Sequence, residues 1–261
     1  MAVLNITPDS FSDGGRLLAD GQVLLPQIVD IAGAMIDAGA DILDIGGEST
    51  RPGAEAVSAE QEAARVLPVI EALAALDVLI SLDTSKPEVA LRGIELGCHM
   101  INDVRGLQNP QMLAAVARSE VGVCLMHMHG DPASMQSNPQ YADVVTEIRD
   151  FFQRQVHTCR EAGIDAQRLM LDPGFGFGKT LEHNLALLRN LQALRVDGLP
   201  ILVGLSRKSM LGAITGRDVS DRQVASAVGA ALAIERGANI LRVHDVEATR
   251  DAVRIVQAVN V

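Results

Sequence analysis

The sequence predicts a single closed (β/α)8 barrel, an α/β fold, and three observations predict it. The chain has 261 residues, close to the roughly 250 that such barrels use. Short apolar segments alternate with amphipathic ones eight times from end to end, with no second compositional zone, so residues 1–261 read as one domain. Polar and charged residues gather where the apolar segments end, the face on which a barrel carries its site. An open doubly wound sheet is the alternative. It would carry a glycine-rich first turn leading straight into a helix, and residues 5–15 do not read that way.

Each element has its own signal. The strand at 2–6 (AVLNI) leads through a long loop to a helix at 22–38. The strand at 41–45 (DILDI) leads to a helix at 60–76, preceded by Ser58 and Gln61 at the capping-box spacing. The strand at 78–83 (VLISLD) precedes a helix at 88–96, and Pro87 sits where a first-turn proline loses no hydrogen bond. Pro110 plays the same part for the helix at 110–117 after the strand at 99–104. The strand at 121–127 (VGVCLMH) precedes a long helix at 143–162, and that at 168–172 (RLMLD) precedes one at 181–194. The strand at 201–205 leads to a helix at 222–236, for which Ser220 and Gln223 repeat the capping-box spacing. The strand at 239–244 leads to the last helix, at 246–259. All eight strands are short and mostly apolar on both faces, as buried parallel strands are. Gly39, Gly97, Gly163 and Gly237 fall just after helices, in the position that ends them.

Composition excludes several classes of function. With 48% hydrophobic and 21% charged residues, the chain can build a large core. Its net charge of −11 argues against nucleic-acid binding, which needs a basic face. An anionic ligand must therefore be held by a few local cations. The three cysteines, Cys98, Cys124 and Cys159, are too scattered for a disulfide framework and read as reduced thiols. No apolar run is long enough to span a membrane, and no signal-peptide pattern is present, so a cytoplasmic location is expected.

The polar strand ends are Asn5, Asp44 with Glu48, Asp83, Asn102 with Asp103, His127, Asp172, residues 206–208, and Arg242 with His244. In a barrel these converge on one mouth. Three loops there are longer than a tight connection needs: 7–15 (TPDSFSDGG), 46–53 (GGESTRPG) and 172–179 (DPGFGFGK). They hold Phe11, Phe175 and Phe177, three of only five phenylalanines, and exposed aromatics there suit stacking on a flat ligand. The cations Arg51, Arg207, Lys208, Arg242 and His244 surround the same mouth. The segments 204–209 (GLSRKS) and 242–244 (RVH) occupy the loops that commonly hold phosphate in barrels. His127 and His129 have the spacing of a metal pair, but on a strand end they are expected to line the pocket.

These segments, in order, resemble the dihydropteroate synthase family of pterin-binding TIM barrels. The resemblance rests on LNITPDSFSDGG, DIGGESTRPG, ISLDTSKP, INDVRG, LMHMHG, LDPGFGFGK, VGLSRKSM and RVHD, and covers nearly the whole chain. It implies condensation of p-aminobenzoate with (7,8-dihydropterin-6-yl)methyl diphosphate, giving dihydropteroate and diphosphate, with Mg2+ as cofactor. By matching motifs, Asp83, Asn102, Asp172 and Lys208 would hold the pterin, and Asn5, Arg242 and His244 the diphosphate. Asn5 and Asp13 would lie at the Mg2+, while Thr50, Arg51, Phe177 and Ser209 would shape the p-aminobenzoate site. Asp83, Lys208, Arg242 and His244 would carry the catalysis, and a homodimer is expected. The family also has a segment ahead of the first strand, under the barrel, whereas this sequence starts at that strand. The resemblance therefore specifies the active mouth but not the closure of the barrel floor.

The residue types suit that chemistry. A carboxylate can accept the paired N–H donors of a pterin edge, and fixed cations can stabilise charge growing on a departing diphosphate along a loose, SN1-like path. No Ser/His/Asp or Cys/His nucleophile arrangement is among the motifs. The competing readings are a non-catalytic pterin-binding paralogue, a corrinoid-linked methyltetrahydrofolate methyltransferase domain, and an aldolase using Lys208 as a Schiff base.

Overall fold

A computed structural model describes residues 1–7, 17–19, 22–50, 55–130 and 134–260 of the chain. Strand β1 (Ala2–Asn5) is followed by a short antiparallel pair, β2 (Leu18–Ala19) and β3 (Gln22–Val23), and by α1 (Leu25–Asp37). The chain then alternates through β4 (Ile42–Gly46), α2 (Ala59–Leu73), β5 (Leu79–Asp83), α3 (Pro87–Glu95), β6 (Met100–Asp103) and α4 (Pro110–Ala117). It continues with β7 (Gly122–Met126), α5 (Val144–Glu161), β8 (Leu169–Asp172), α6 (Leu181–Arg189), β9 (Leu202–Val203) and α7 (Ser209–Thr215). It ends with α8 (Gln223–Glu235), β10 (Ile240–Leu241) and α9 (Val246–Val259).

Strands β1, β4, β5, β6, β7 and β8 pair in parallel in that order, and β9 pairs with β10. Single bridges close the remaining gaps, Leu171 to Ile201 and Ala2 to Val243. At the second, Val3 N–H donates to the Val243 carbonyl at 2.9 Å, and Val243 N–H to that of Met1 at 3.0 Å. Eight parallel strands thus form the ring that the sequence predicts.

Alternation along the strands makes two cores. Leu43, Ile45, Leu82, Ile101, Val123 and Leu171 face outward and are fully covered, packing with Ile28, Ile70 and Phe152 of the helices. Inside the ring, Met1, Met100, Cys124 and Leu202 fill the N-terminal end, backed by Ile42, Met170 and Ile240. The amino group of Met1 donates to the Leu241 carbonyl at 3.0 Å, and burial lowers its pKa. All three cysteines are buried and free, and burial raises each thiol, Cys98 to about 12 and Cys159 to about 11.

Several boundaries differ from expectation for local reasons. The first helix starts at Leu25, because Gln22–Val23 pairs with Leu18–Ala19. The helix expected at 181–194 breaks at Asn190 (φ −111°, ψ 28°), and Leu191–Leu194 forms a 3-10 turn. The Ser58 capping box is present, with Gln61 N–H donating to Ser58 Oγ at 3.2 Å and Ser58 N–H to Gln61 Oε1 at 3.1 Å. The expected Ser220 box is absent: Val219–Asp221 coils into a 3-10 turn, and Arg222 precedes α8 without a side-chain cap. Helix α7 was not anticipated. Its seven residues follow β9 almost directly, so Lys208 stands at its N-cap and Ser209 in its first turn.

Candidate active site

Strand register carries polar residues into the ring at its C-terminal end. Asn5 pairs with Gly46, Gly46 with Asp83, and Asp83 with Asn102, while Asp172 pairs with Met126 on the other side. One layer deeper, Asp44 and Ser81 sit side by side, both out of solvent.

Arg242 joins these acids. Its Nε donates to Asp44 Oδ2 at 2.6 Å and its Nη2 to Asp83 Oδ2 at 2.7 Å. Asp44 also accepts from Ser81 Oγ at 2.5 Å and from Asn102 Nδ2 at 3.2 Å. Asp44 is thus saturated and structural, whereas Asp83 opens onto the cavity. Burial pushes the Asp83 carboxyl up to about 7, against the pull of Arg242 and with the help of Asp44. Burial opposes the charge of Arg242 too, but Asp44 and Asp83 outweigh it and hold its pKa above the usual value. Burial also raises Asp172 and lowers Lys208, the latter to about 8; the two oppose each other's shift. Asn102 Oδ1 is buried with no hydrogen-bond partner among the described residues, so an acceptor is available for a donor brought by a ligand.

Above this layer lies a cavity of about 710 Å³, within the range of roughly 300–1,000 Å³ that small-molecule sites occupy. Of the residues singled out from sequence, Asn5, Glu48, Thr50, Asp83, Phe175, Phe177, Ser206, Arg207, Lys208, Ser209, Arg242 and His244 line it. Asn102 and Asp172 lie just beneath. Asp13, Arg51 and Phe11 fall outside the described residues. His244 Nδ1 is 3.0 Å from Ser206 Oγ, which also accepts from the His244 N–H at 3.1 Å. Arg207 is held by Asp245, through Nε at 3.0 Å and Nη2 at 2.6 Å.

Three expectations are corrected. Phe175 does not stand exposed for stacking: it is fully buried in the main core, and of the two described loop phenylalanines only Phe177 is partly exposed, with Lys208 Nζ 4.7 Å from its ring centroid. His127 and His129 do not line the cavity. His127 packs edge-on against Phe151 at 5.0 Å and His129 lies 5.4 Å from Tyr141. Asp103 also turns away, its carboxylate accepting from Arg105 and Leu107 N–H groups at 2.9 Å each.

Sequence reasoning missed an apolar cluster behind Phe177, of which Met135 reaches the cavity. Val104, Met126, Met128 and Met135 cluster there with Phe177 packed against them. Met126 was legible as an inward position two residues beyond Cys124, but Met135 and Gln136 sit in an irregular stretch without periodicity. Glu48 is held from below, accepting from Val57 N–H at 2.9 Å and from Lys86 Nζ at 2.6 Å. Lys86 also binds the fully covered Glu62 of α2. A lysine is thereby shared between the loop after β4 and the helix that follows it.

The family described as pterin binding enzyme matches residues 1–244. The dihydropteroate synthase of Escherichia coli (strain K12) is 50% identical over 259 residues, covering 99% of this chain and 90% of that protein. That of Haemophilus influenzae is 46% identical over 259 residues, covering 99% and 92%. Among solved structures, a Yersinia pestis dihydropteroate synthase with a sulfonamide drug complex aligns at a TM-score of 0.95 and 49% identity, covering 100% of this chain and 93% of that one. A Burkholderia cenocepacia dihydropteroate synthase complexed with 7,8-dihydropteroate aligns at 0.89 and 45% identity, covering 100% and 90%.

Proposed function

The chain belongs to the pterin binding enzymes and, within them, to the dihydropteroate synthases, and we infer from this that it joins p-aminobenzoate to (7,8-dihydropterin-6-yl)methyl diphosphate. The reaction forms a C–N bond at the pterin methylene, breaks its C–O bond to diphosphate, and releases the arylamine proton. The observation that carries the residue assignments is that Asp83 and Lys208 line an open cavity together with Arg242 and His244, with the buried Asn102 and Asp172 next to them.

In this reading the pterin enters edge-first. Asp83 and Asp172 accept its N–H groups, Asn102 Oδ1 gains the partner it otherwise lacks, and Lys208 donates to the ring carbonyl. Arg242 and His244 bind the diphosphate oxygens and stabilise the charge that grows there as the C–O bond lengthens. Asp83 stabilises the cationic ring left behind. The amine then attacks from a pocket shaped by Thr50, Phe177 and Ser209, with Arg51 contributing from outside the described residues. Arylamines are largely unprotonated at neutral pH, so no strong base is required.

The residues present suit Mg2+. Asn5 lines the cavity and offers a hard oxygen, and this ion is commonly bound by one or two protein oxygens together with substrate phosphates. Asn5 and Asp13 would hold it, and when bound it would supply further neutralisation of the diphosphate. A cytoplasmic location and a homodimer belong to the same proposal. Support for them is that no helix among the described residues is long and apolar enough to cross a membrane, and that α8 carries an exposed apolar stripe.

The deciding experiment is diphosphate release by the purified protein from the pterin diphosphate and Mg2+, with and without p-aminobenzoate. Release dependent on p-aminobenzoate and matched by dihydropteroate is the expected result. A folded protein that binds the pterin but releases nothing would point to a non-catalytic paralogue.

A further inference from the structure

The loop at 173–179 is held in an unusual way. Four successive carbonyls accept from four different side chains: Phe175 from Lys208, Gly176 from Gln136, Phe177 from Lys179 at 2.9 Å, and Gly178 from the Tyr141 hydroxyl at 3.0 Å. Lys208 belongs to the proposed pterin site, but Lys179 does not line the cavity. Only 3% of it is exposed, and its ammonium also lies 3.3 Å from the His127 carbonyl and 3.2 Å from His127 Nδ1.

An ammonium has three protons and no lone pair, and three acceptors surround this one. The imidazole serves as the third because burial, then the charge of Lys179, push the His127 pKa down to about 2. Burial pushes Lys179 itself down to about 7 despite nearby Asp172. Burying a lysine is costly unless its hydrogen bonds are met. A methionine would fill the same space without that cost, so the hydrogen bonds are the reason for a lysine here.

We propose that Lys179, with Tyr141 beside it, is a positioning device for the aromatic-amine half of the site: by fixing the carbonyls of Phe177 and Gly178 it holds the Phe177 ring against p-aminobenzoate. This rests on the assignment of Phe177 to that substrate. Neither Lys179 nor Tyr141 touches the reacting atoms.

The test uses the full chain with Mg2+ and both substrates, and three variants. Phe177→Ala examines the underlying assignment, and Lys179→Met and Tyr141→Phe examine the clamp. A hydrogen bond from a charged donor is worth about 1.5–3 kcal/mol, and about 1.4 kcal/mol is tenfold in affinity. At a pH below about 7, where Lys179 carries its charge, Lys179→Met is therefore expected to raise the KM for p-aminobenzoate about tenfold or more. The Kd of the pterin diphosphate, measured by calorimetry, should stay within about twofold, since its proposed contacts remain. Tyr141→Phe loses one neutral hydrogen bond and keeps the ring, so a rise of about threefold in the same KM is expected. It carries the test should Lys179→Met fail to fold. Equal losses in p-aminobenzoate KM and pterin affinity would mark a merely structural role and overturn the proposal. An unchanged p-aminobenzoate KM in both clamp variants, with the KM raised in Phe177→Ala, would overturn the clamp while leaving the assignment of Phe177 standing. An unchanged KM in Phe177→Ala would remove the assignment and the clamp together.

Discussion

Asp83 and Lys208 face one cavity with pKa values brought close together, about 7 for the acid and about 8 for the base. Burial is the main cause of both shifts, raising the carboxyl and lowering the ammonium. If the pterin needs Asp83 ionised and Lys208 charged, kcat/KM for the pterin diphosphate should rise with pH through about 7 and fall through about 8. Asp83→Asn should abolish the acid limb and lower kcat by about a hundredfold or more, as the loss of one charge-stabilising group does. An acid limb that persists in Asp83→Asn would assign it to another group, and near-normal kcat would remove Asp83 from catalysis. Much of this layer was legible in the sequence, because a polar residue ending an apolar strand points into the ring with a known period. Phe175 and Phe177 show where that legibility stops. They occupy the same glycine-rich motif two residues apart and both border the cavity, yet Phe175 is fully buried and packs in the core while Phe177 is partly exposed. In a loop without period the backbone turns decide, and Gly174, Gly176 and Gly178 all take positive φ there.

At the level of elements, that loop depends on a backbone approach that only glycine permits. Gly174 has φ +67°, and a Cβ built on it would lie 1.9 Å from the His127 carbonyl oxygen, just past the end of β7. Gly163, after α5, has φ +85° but nothing within 4 Å of the added atom. Alanine at Gly163 should therefore cost only the conformational penalty, about 1 kcal/mol or a little more. Alanine at Gly174 adds a clash with backbone, so thermal melts should show a clearly larger fall in Tm for Gly174→Ala, together with a raised KM for p-aminobenzoate. Equal falls would mean that the loop moves aside easily and that its carbonyl clamp is weak. The same contrast explains which helix starts were readable. Ser58 caps α2 because the chain before it runs extended, whereas Ser220 is drawn into a 3-10 turn before it can cap α8. The spacing is the same in both, and only the approach of the preceding chain differs.

For the whole molecule, the ring itself was legible, because eight short apolar segments separated by amphipathic ones admit few other parallel arrangements. What periodicity could not supply was the outer surface of α8, whose sequence is apolar almost all round. The structure divides it: Ala230 and Ala233 face the barrel, while Val224 and Val228 are 75% and 55% exposed and Leu232 continues their stripe at the next turn. Ile214 of α7, also exposed, adjoins it, and with Leu188 and Met210 these residues border a mostly apolar groove. A contiguous apolar stripe of this kind, with the small Ala225 beside it, suits a second copy of the same chain in an isologous pairing. Ser220 borders both this groove and the proposed active cavity, so the pairing would brace the 3-10 turn that carries Val219 at the cavity's edge. Sedimentation of the wild-type protein at micromolar concentration should give twice the chain mass. A Val224→Glu, Val228→Glu double variant should give a monomer, because two desolvated carboxylates facing their copies oppose association. Its Tm should become independent of protein concentration, whereas that of the wild type should rise with it. A monomeric wild type would leave the stripe unexplained as an interface, and a double variant that still dimerises would place the interface elsewhere. Where the dimer is lost but the fold is kept, a raised KM for p-aminobenzoate would indicate that the partner steadies the cavity edge, and an unchanged one that each ring works alone.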